Sequence, residues 1–120
     1  MTKTPSPNNS RIQQLRVRLV EISEELELCF QHRTYQNVVT LEFIYTLRNT
    51  SLDLWDELKK VSHRDCHYIT KILINLVASC DALADFYSSR NLVNYYTVLH
   101  ESLRPQIESF NMAQHELDGL

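Results

Sequence analysis

The apolar residues between Cys66 and Tyr87 fall on a single line along a helix. They follow one another at spacings of three and four, which is the repeat of a helix face buried in a bundle. The line consists of Cys66, Ile69, Leu73, Leu76, Cys80, Leu83 and Tyr87. No Pro or Gly interrupts the chain from Ser62 to Ser89. So long an apolar line cannot bury itself. The pattern therefore predicts other helices of similar length that pack around this one.

Two further segments carry the same spacing. The first predicted helix begins at Ser10, a good N-cap, and continues to about Phe30. Its apolar line is Ile12, Leu15, Leu19, Ile22, Leu26 and Cys29. The last predicted helix carries Leu92, Tyr96, Leu99, Leu103, Ile107, Phe110 and Leu117. Pro105 interrupts it, and since proline lacks an N–H and kinks a helix interior, we expect a bend or a restart there.

The segment from Val39 to Leu47 fits two patterns. Its apolar residues alternate with Thr40, Glu42 and Thr46, which is typical of a half-buried strand. The same segment also fits a helical line through Ile44, Leu47, Leu54, Leu58 and Val61, with Thr40 and Ser51 in the missing steps. The chain offers no second strand, so the helix is favoured. Thr50 and Asp53 form a capping-box pattern that indicates a kink or a new helix start inside it.

These patterns together predict an all-α fold. A second capping-box pattern, Ser62 with Asp65, places a turn before the third helix, and the other connections are equally short. Short connections make successive helices antiparallel. We therefore predict an up-and-down four-helix bundle as one domain over residues 10–120, preceded by a short disordered tail over residues 1–9.

Composition narrows the classes of function. The formal net charge of −3 argues against a nucleic-acid binder, and no apolar run is long enough for a membrane span. The single Gly, at position 119, argues against a β-rich fold. The polar residues 1–10 lack the apolar core of a signal peptide. Three cysteines without a C-x-x-C pattern predict buried thiols in a reduced, cytoplasmic setting.

The second predicted helix has more apolar surface than an outer helix needs. A second stripe flanks its buried line, and Ile74 projects from the polar side of the third helix. The candidate partner-binding residues are Val38, Leu41, Tyr45, Leu52, Trp55 and Ile74. One interpretation is a generously packed core with one exposed isoleucine. The other is an interface for a partner helix or for a second copy in a homodimer.

Acidic residues gather at one end of the predicted bundle. This end has seven acidic residues and only two basic ones, Arg33 and Arg90. The acidic residues are Glu21, Glu24, Glu25, Glu27, Glu42, Asp81 and Asp85. A solvated charged surface is one explanation. The alternative is a docking patch for a basic partner.

Signals for catalysis or cofactor binding are weak. His63 and His67 lie one helical turn apart with Cys66 between them, a workable spacing for metal ligands, but no carboxylate pattern completes the site. His100 lies mid-helix, as in phosphotransfer bundles, but Glu101 beside it would repel a phosphate. No Glu-x-x-His pair, glycine-rich phosphate loop or nucleophile elbow occurs.

The sequence therefore predicts a non-catalytic protein–protein interaction module without a cofactor: an adaptor, a small regulator or a chaperone-like bundle. It would present the apolar surface of the second helix and the acidic end. The alternative is a signalling or ligand-binding bundle that uses His100 for phosphotransfer, or His63 and His67 for a metal.

Overall fold

The computed structural model describes residues 7–32, 39–61 and 67–118, with side chains described for 10–31, 39–60 and 68–118. These ranges contain four helices: α1 at Pro7–His32, α2 at Leu41–Val61, α3 at His67–Ser88 and α4 at residues 92–117. They contain no strand, so the all-α prediction is confirmed, and the segment that begins at Leu41 is helical.

The structure confirms the up-and-down bundle, and contacts between the first and last helices show that these two are antiparallel. Near the start of α1, Gln13 donates from Nε2 to the carbonyl oxygen of Leu117 at the end of α4, at 3.0 Å. At the opposite end of α1, the ring of Phe30 packs on His100 of α4, with 5.1 Å between ring centroids. The molecule measures 54 × 24 × 22 Å, and none of the helices described is both long and apolar enough to cross a membrane.

The first helix begins three residues earlier than predicted. It starts at Pro7, so residues 7–9 of the expected tail are helical and Ser10 is an exposed residue within the helix. Proline suits the first position of a helix, because its φ is already helical and the missing N–H would have had no partner there. The predicted apolar line of α1 is buried along its whole length.

The second helix begins with a cap and runs without a break. The Thr40 hydroxyl oxygen accepts a hydrogen bond from the Phe43 backbone N–H at 3.2 Å, which is an N-cap contact. No new helix starts at Thr50, since α2 is continuous from Leu41 to Val61. Thr50 instead donates its hydroxyl to the Thr46 carbonyl oxygen at 2.7 Å, which satisfies a polar residue inside a helix.

The predicted apolar face of α3 forms the centre of the core. Its middle five residues, Ile69, Leu73, Leu76, Cys80 and Leu83, have no exposed surface, and α3 packs along both α2 and α4. Tyr87, the predicted last member, is 43% exposed because it lies at the end of the bundle. Cys66 and the Ser62–Asp65 turn lie outside the described residues.

The expected bend at Pro105 takes the form of a π-helical turn. In α4, residues Leu99–Leu103 form this turn between α-helical segments Leu92–Val98 and Arg104–Ala113, and a 3₁₀ turn, Gln114–Leu117, ends the helix. The Arg104 N–H donates to the carbonyl oxygen of Leu99, five residues earlier. Pro105 has no N–H, and in a regular α-helix its ring would press on the carbonyl of Glu101. The wider turn accommodates the proline without ending the helix.

The core residues of α4 follow this wider turn. Tyr95, Leu99, Leu103 and Ile107 are all buried, at three successive spacings of four. Four residues rotate about 400° around an α-helix, so three such steps would drift by about 120°. The π turn removes much of that drift. The core residue predicted as Tyr96 is therefore Tyr95, while Tyr96 is half-buried and Leu92 is exposed.

The turn between α3 and α4 has a left-handed residue that is not glycine. Arg90 has φ of 58°, and its N–H donates to the Tyr87 carbonyl oxygen at 3.2 Å. The next residue, Asn91, donates to the Phe86 carbonyl oxygen at 2.9 Å. This pair of hydrogen bonds is the helix C-cap that normally uses glycine, because a Cβ is unfavourable at positive φ.

Two weak acids are buried in this core. Burial, followed by the charge of Asp81, raises the pKa of the Cys80 thiol to about 12. Burial also raises the pKa of Tyr95 to about 12, and its hydroxyl donates to the Val39 carbonyl oxygen at 3.1 Å. Both side chains are therefore neutral at physiological pH.

Replacing Arg90 with Gly should raise the free energy of unfolding by about 1 kcal/mol, because glycine adopts positive φ without a steric penalty. Urea denaturation followed by circular dichroism measures the change. Ser88→Gly, in the last turn of α3, is the matched control and should lower stability instead. An Arg90→Gly protein less stable than the wild type would contradict the C-cap geometry.

Alkaline pH should destabilise the fold through Cys80 and Tyr95. Their ordinary pKa values of 9.0 and 10.0 rise to about 12 in the folded chain, so above pH 9.0 the unfolded chain loses these protons first. Stability should then fall as pH rises from 9.0 towards about 12. Urea titrations at successive pH values measure this slope, and Tyr95→Phe should flatten its upper part. A free energy of unfolding independent of pH across this window would contradict the prediction.

Candidate functional site

An open apolar groove lies between α2 and α3. Leu52 and Trp55 of α2 line one wall, Ile74 and Val77 of α3 line the other, and the groove has a volume of about 310 Å³. Ile74 is 48% exposed, while the other three side chains are half-buried. The groove is therefore apolar, concave and accessible, which are the features of a surface that receives side chains from another molecule.

Helical spacing explains why these residues meet. Leu47, Leu54 and Leu58 turn one face of α2 into the core, and Leu52 and Trp55 occupy the neighbouring stripe. On α3, Ile74 and Val77 lie three residues apart on the side towards α2. The antiparallel packing of two helices that each carry an apolar residue beside the buried face creates the groove.

Charged contacts bound the groove at both ends. On one side, Nε of Arg48 lies 2.6 Å from Oδ1 of Asp81 and joins α2 to α3. On the other side, Nζ of Lys59 lies 3.8 Å from the centre of the Trp55 ring, a cation–π contact that holds the indole in place. Arg48, Asp81 and Lys59 lie beside the groove lining, and Trp55 is the one lining residue that takes part in these contacts.

The structure brings together three of the six predicted partner-binding residues: Leu52, Trp55 and Ile74. Tyr45 is 45% exposed on the same stripe of α2 but is not part of the groove lining. Leu41 is half-buried and packs against the core, so it contributes to the fold. Val38 lies outside the described residues.

Val77 completes the groove and was missed from the sequence. The signal was present, because Val77 follows Ile74 at a helical spacing of three. Val77 is adjacent to Leu76 of the buried line, however, and an isolated valine there is equally well explained as a core edge. Whether Val77 lies at the core edge or in the groove depends on where α2 packs, and the spacing of residues on α3 does not show that.

The predicted acidic end of the bundle is largely exposed. Its exposed members are Glu21, Glu24, Glu25, Glu42, Asp81 and Asp85. Asp81 is neutralised by Arg48, and half-buried Glu27 has its Oε1 4.0 Å from Nε of Arg104. Arg90 lies in the exposed α3–α4 turn, and Arg33 lies outside the described residues. Among the described residues, the other five carboxylates form no ion pair, so negative charges outnumber positive ones at this end.

His100 is packed rather than presented to solvent. It is half-buried in the π turn, with its ring against Phe30. The guanidinium of Arg104 lies over the same Phe30 ring, 4.9 Å from its centre. A phosphotransfer histidine must be open to its phosphate donor, so this packing favours a structural role for His100.

The predicted metal pair falls where the structure gives no side-chain information. His63 and Cys66 lie outside the described residues, and the His67 side chain is likewise not described. Among the side chains that are described, no three His, Cys, Asp or Glu residues converge as metal ligands. The fully buried Cys80 thiol, with its raised pKa, offers no nucleophile at neutral pH.

A second, polar cleft lies between α1 and α2 and was not predicted. Its volume is about 370 Å³, and its lining includes Arg11, Gln14, Arg18, Asn49 and Asp53. Nη2 of Arg11 lies 3.9 Å from Oδ2 of Asp53, and both side chains are about half exposed to water. Such an exposed pair contributes little stability. Polar residues at these spacings resemble any solvated helix face, so the sequence carried no distinct signal.

Comparison with known proteins gives no relative for this chain. No protein-family model matches the sequence, and no significant match occurs among curated proteins or solved structures.

Proposed function

We propose that this chain is a non-catalytic protein–protein interaction module that works in the cytoplasm as an adaptor, a small regulator or a chaperone-like bundle. The groove between α2 and α3 is its binding surface. The observation that carries the proposal is the exposed Ile74 beside Leu52, Trp55 and Val77, which together form a concave apolar surface outside the core.

The energetics of the groove support binding of a helical partner. Burying one large apolar side chain contributes on the order of 1.5–3 kcal/mol. A partner helix that places two such side chains in the groove, at a spacing of three or four, would gain several kcal/mol before the entropy cost of association. This corresponds to a reversible rather than a permanent complex.

Two further features support a binding role over a catalytic one. The groove walls carry no acid, base or nucleophile, because their four side chains are apolar. Outside the groove, Cys80 is buried and His100 packs on Phe30 at another interface. The acidic end adds a long-range attraction for a basic region of a partner, which increases association rates and makes them depend on salt. The phosphotransfer and metal hypotheses gain no support from the described side chains.

Site-directed photo-crosslinking tests the proposal. A photoreactive residue at position 74 should form a specific adduct in extracts of the native host, while the same residue at position 112 should not. Met112 is the matched control because it is 79% exposed and lies on α4, away from the groove. The adduct would then be identified by mass spectrometry.

The captured protein must also bind in purified form. We expect Ile74→Glu to weaken that binding by at least tenfold, because a carboxylate cannot be buried in an apolar groove without a large penalty. Met112→Glu should leave it unchanged, and circular dichroism should show that both variants retain their helix content. A partner whose affinity is unchanged by Ile74→Glu, or the lack of any adduct specific to position 74, would overturn the proposal.

A further inference from the structure

The polar cleft between α1 and α2 is built from the same relative positions on both helices. Its lining residues fall at positions i, i+3, i+4 and i+7 of each helix, the spacing of one continuous stripe. On α1 these are Arg11, Gln14, Leu15 and Arg18, and on α2 they are Thr46, Asn49, Thr50 and Asp53. The volume of about 370 Å³ is within the range of small-molecule sites.

One end of the cleft has a positive charge that the chain does not neutralise. The antiparallel packing that brings Arg11 close to Asp53 places Arg18 opposite Thr46, which is neutral. Within the described ranges, the Arg18 side chain forms neither an ion pair nor a hydrogen bond. The lining thus has two guanidinium groups and one carboxylate, so the cleft is positive in a chain whose formal net charge is −3.

The Arg11 guanidinium at the other end is also available to a ligand. Its Nη2 lies 3.9 Å from Oδ2 of Asp53, which is too long for a hydrogen bond, and both side chains are about half exposed to water. The third arginine of α1 differs, because Nη1 of Arg16 lies 2.8 Å from Oδ1 of Asp118 on the side towards α4. Two of the three arginines of α1 therefore face the cleft with free donors.

The neutral groups of the cleft divide into donors at its mouth and acceptors on its floor. Exposed Asn49 accepts at Oδ1 from Nη1 of Arg48 at 3.2 Å, which leaves its amide NH₂ to donate. The Gln14 amide, also exposed, has no hydrogen bond among the residues described. The hydroxyls of Thr46 and Thr50 already donate to carbonyl oxygens four residues earlier, at 2.9 and 2.7 Å. Towards the cleft, these two oxygens can therefore only accept.

We infer that this cleft binds a small phosphate monoester of a polyol, such as a sugar phosphate. The phosphate would lie at the mouth, where Arg11 and Arg18 supply the planar, charged donors that suit phosphate oxygens. The hydroxyl groups of the same ligand would donate to the oxygens of Thr46 and Thr50. A bare anion would leave these two oxygens without a donor, and an uncharged sugar would leave both arginines without an anion.

The lining favours a soluble ligand over the headgroup of a lipid. Leu15 is the one apolar residue in it and is only 4% exposed, so the cleft offers no contact to an acyl chain. The site also lies on a different side of α2 from the apolar groove, whose lining on this helix is Leu52 and Trp55. The inference therefore goes beyond the proposed function and does not depend on it.

Titration of the full chain with glucose 6-phosphate, followed by nuclear magnetic resonance, tests the inference. Above the second phosphate pKa of about 6, the ligand is a dianion and should shift the amide signals of the cleft residues on α1 and α2. Inorganic phosphate should bind about fivefold more weakly, because it cannot donate hydrogen bonds from a polyol to the threonine oxygens. Glucose alone should cause no shifts.

Substitutions separate this site from general attraction to positive charge. Arg18→Gln should weaken binding of glucose 6-phosphate about tenfold, since it removes charged donors at the mouth. Lys71→Gln removes the same charge from an exposed position on α3 and should leave the affinity unchanged. Ile74→Glu should also leave it unchanged, so the groove and the cleft are tested independently. Circular dichroism should show that all three variants retain their helix content.

Four results would overturn the inference. The first is the absence of cleft shifts with glucose 6-phosphate, and the second is equal affinity for inorganic phosphate. The third is an equal loss of affinity in Lys71→Gln and Arg18→Gln. The fourth is sedimentation of the chain with phosphatidylcholine vesicles that contain phosphatidylinositol 4-phosphate, without binding of glucose 6-phosphate, because the phosphate would then belong to a lipid.

Discussion

Burial of one face of α3 is the constraint on which the rest of the structure depends. The residues from Ile69 to Leu83 on that face have no exposed surface, and this requires neighbouring helices along the full length of α3. Helices α2 and α4 provide most of that contact, while α1 packs on α2 and closes the bundle. The buried serines all have hydrogen-bond partners, so they do not disturb this packing. Ser23 and Ser51 donate to carbonyl oxygens four residues earlier, and the Ser79 hydroxyl lies 2.8 Å from the Ser102 hydroxyl of α4.

The groove follows from the same packing. A helix in a four-helix bundle presents only one face to the core, so apolar residues on an adjacent stripe remain at the surface. On α2 and α3 these stripes face the same side, and Arg48 pairs with Asp81 across the two helices. The apolar surface is therefore held in a defined concave shape. This rigidity lowers the entropy cost of binding, because the groove does not have to form first.

Sequence spacing predicted the architecture well and its irregular parts less well. The buried lines of α1, α2 and α3 were predicted because spacings of three and four reflect the helix period directly. The start at Pro7 and the shift from Tyr96 to Tyr95 were missed. The proline at position 7 allows α1 to start before its first buried residue, and the π turn before Pro105 changes the spacing at which the buried residues of α4 recur. For the groove, Leu52, Trp55 and Ile74 were found as excess apolar residues. Val77 required knowledge of which side of α3 faces α2.

The π turn in α4 holds one residue more than a regular helical turn needs. Without that residue, the positions of Tyr95, Leu99, Leu103 and Ile107 would recur at spacings of four, three and four, which a regular α-helix places on one face. A regular turn would, however, press the Pro105 ring on the carbonyl four residues before it. The extra residue and the proline therefore belong together. The wide turn lets α4 carry a proline while Tyr95 keeps the Val39 carbonyl oxygen and His100 stays beside Phe30.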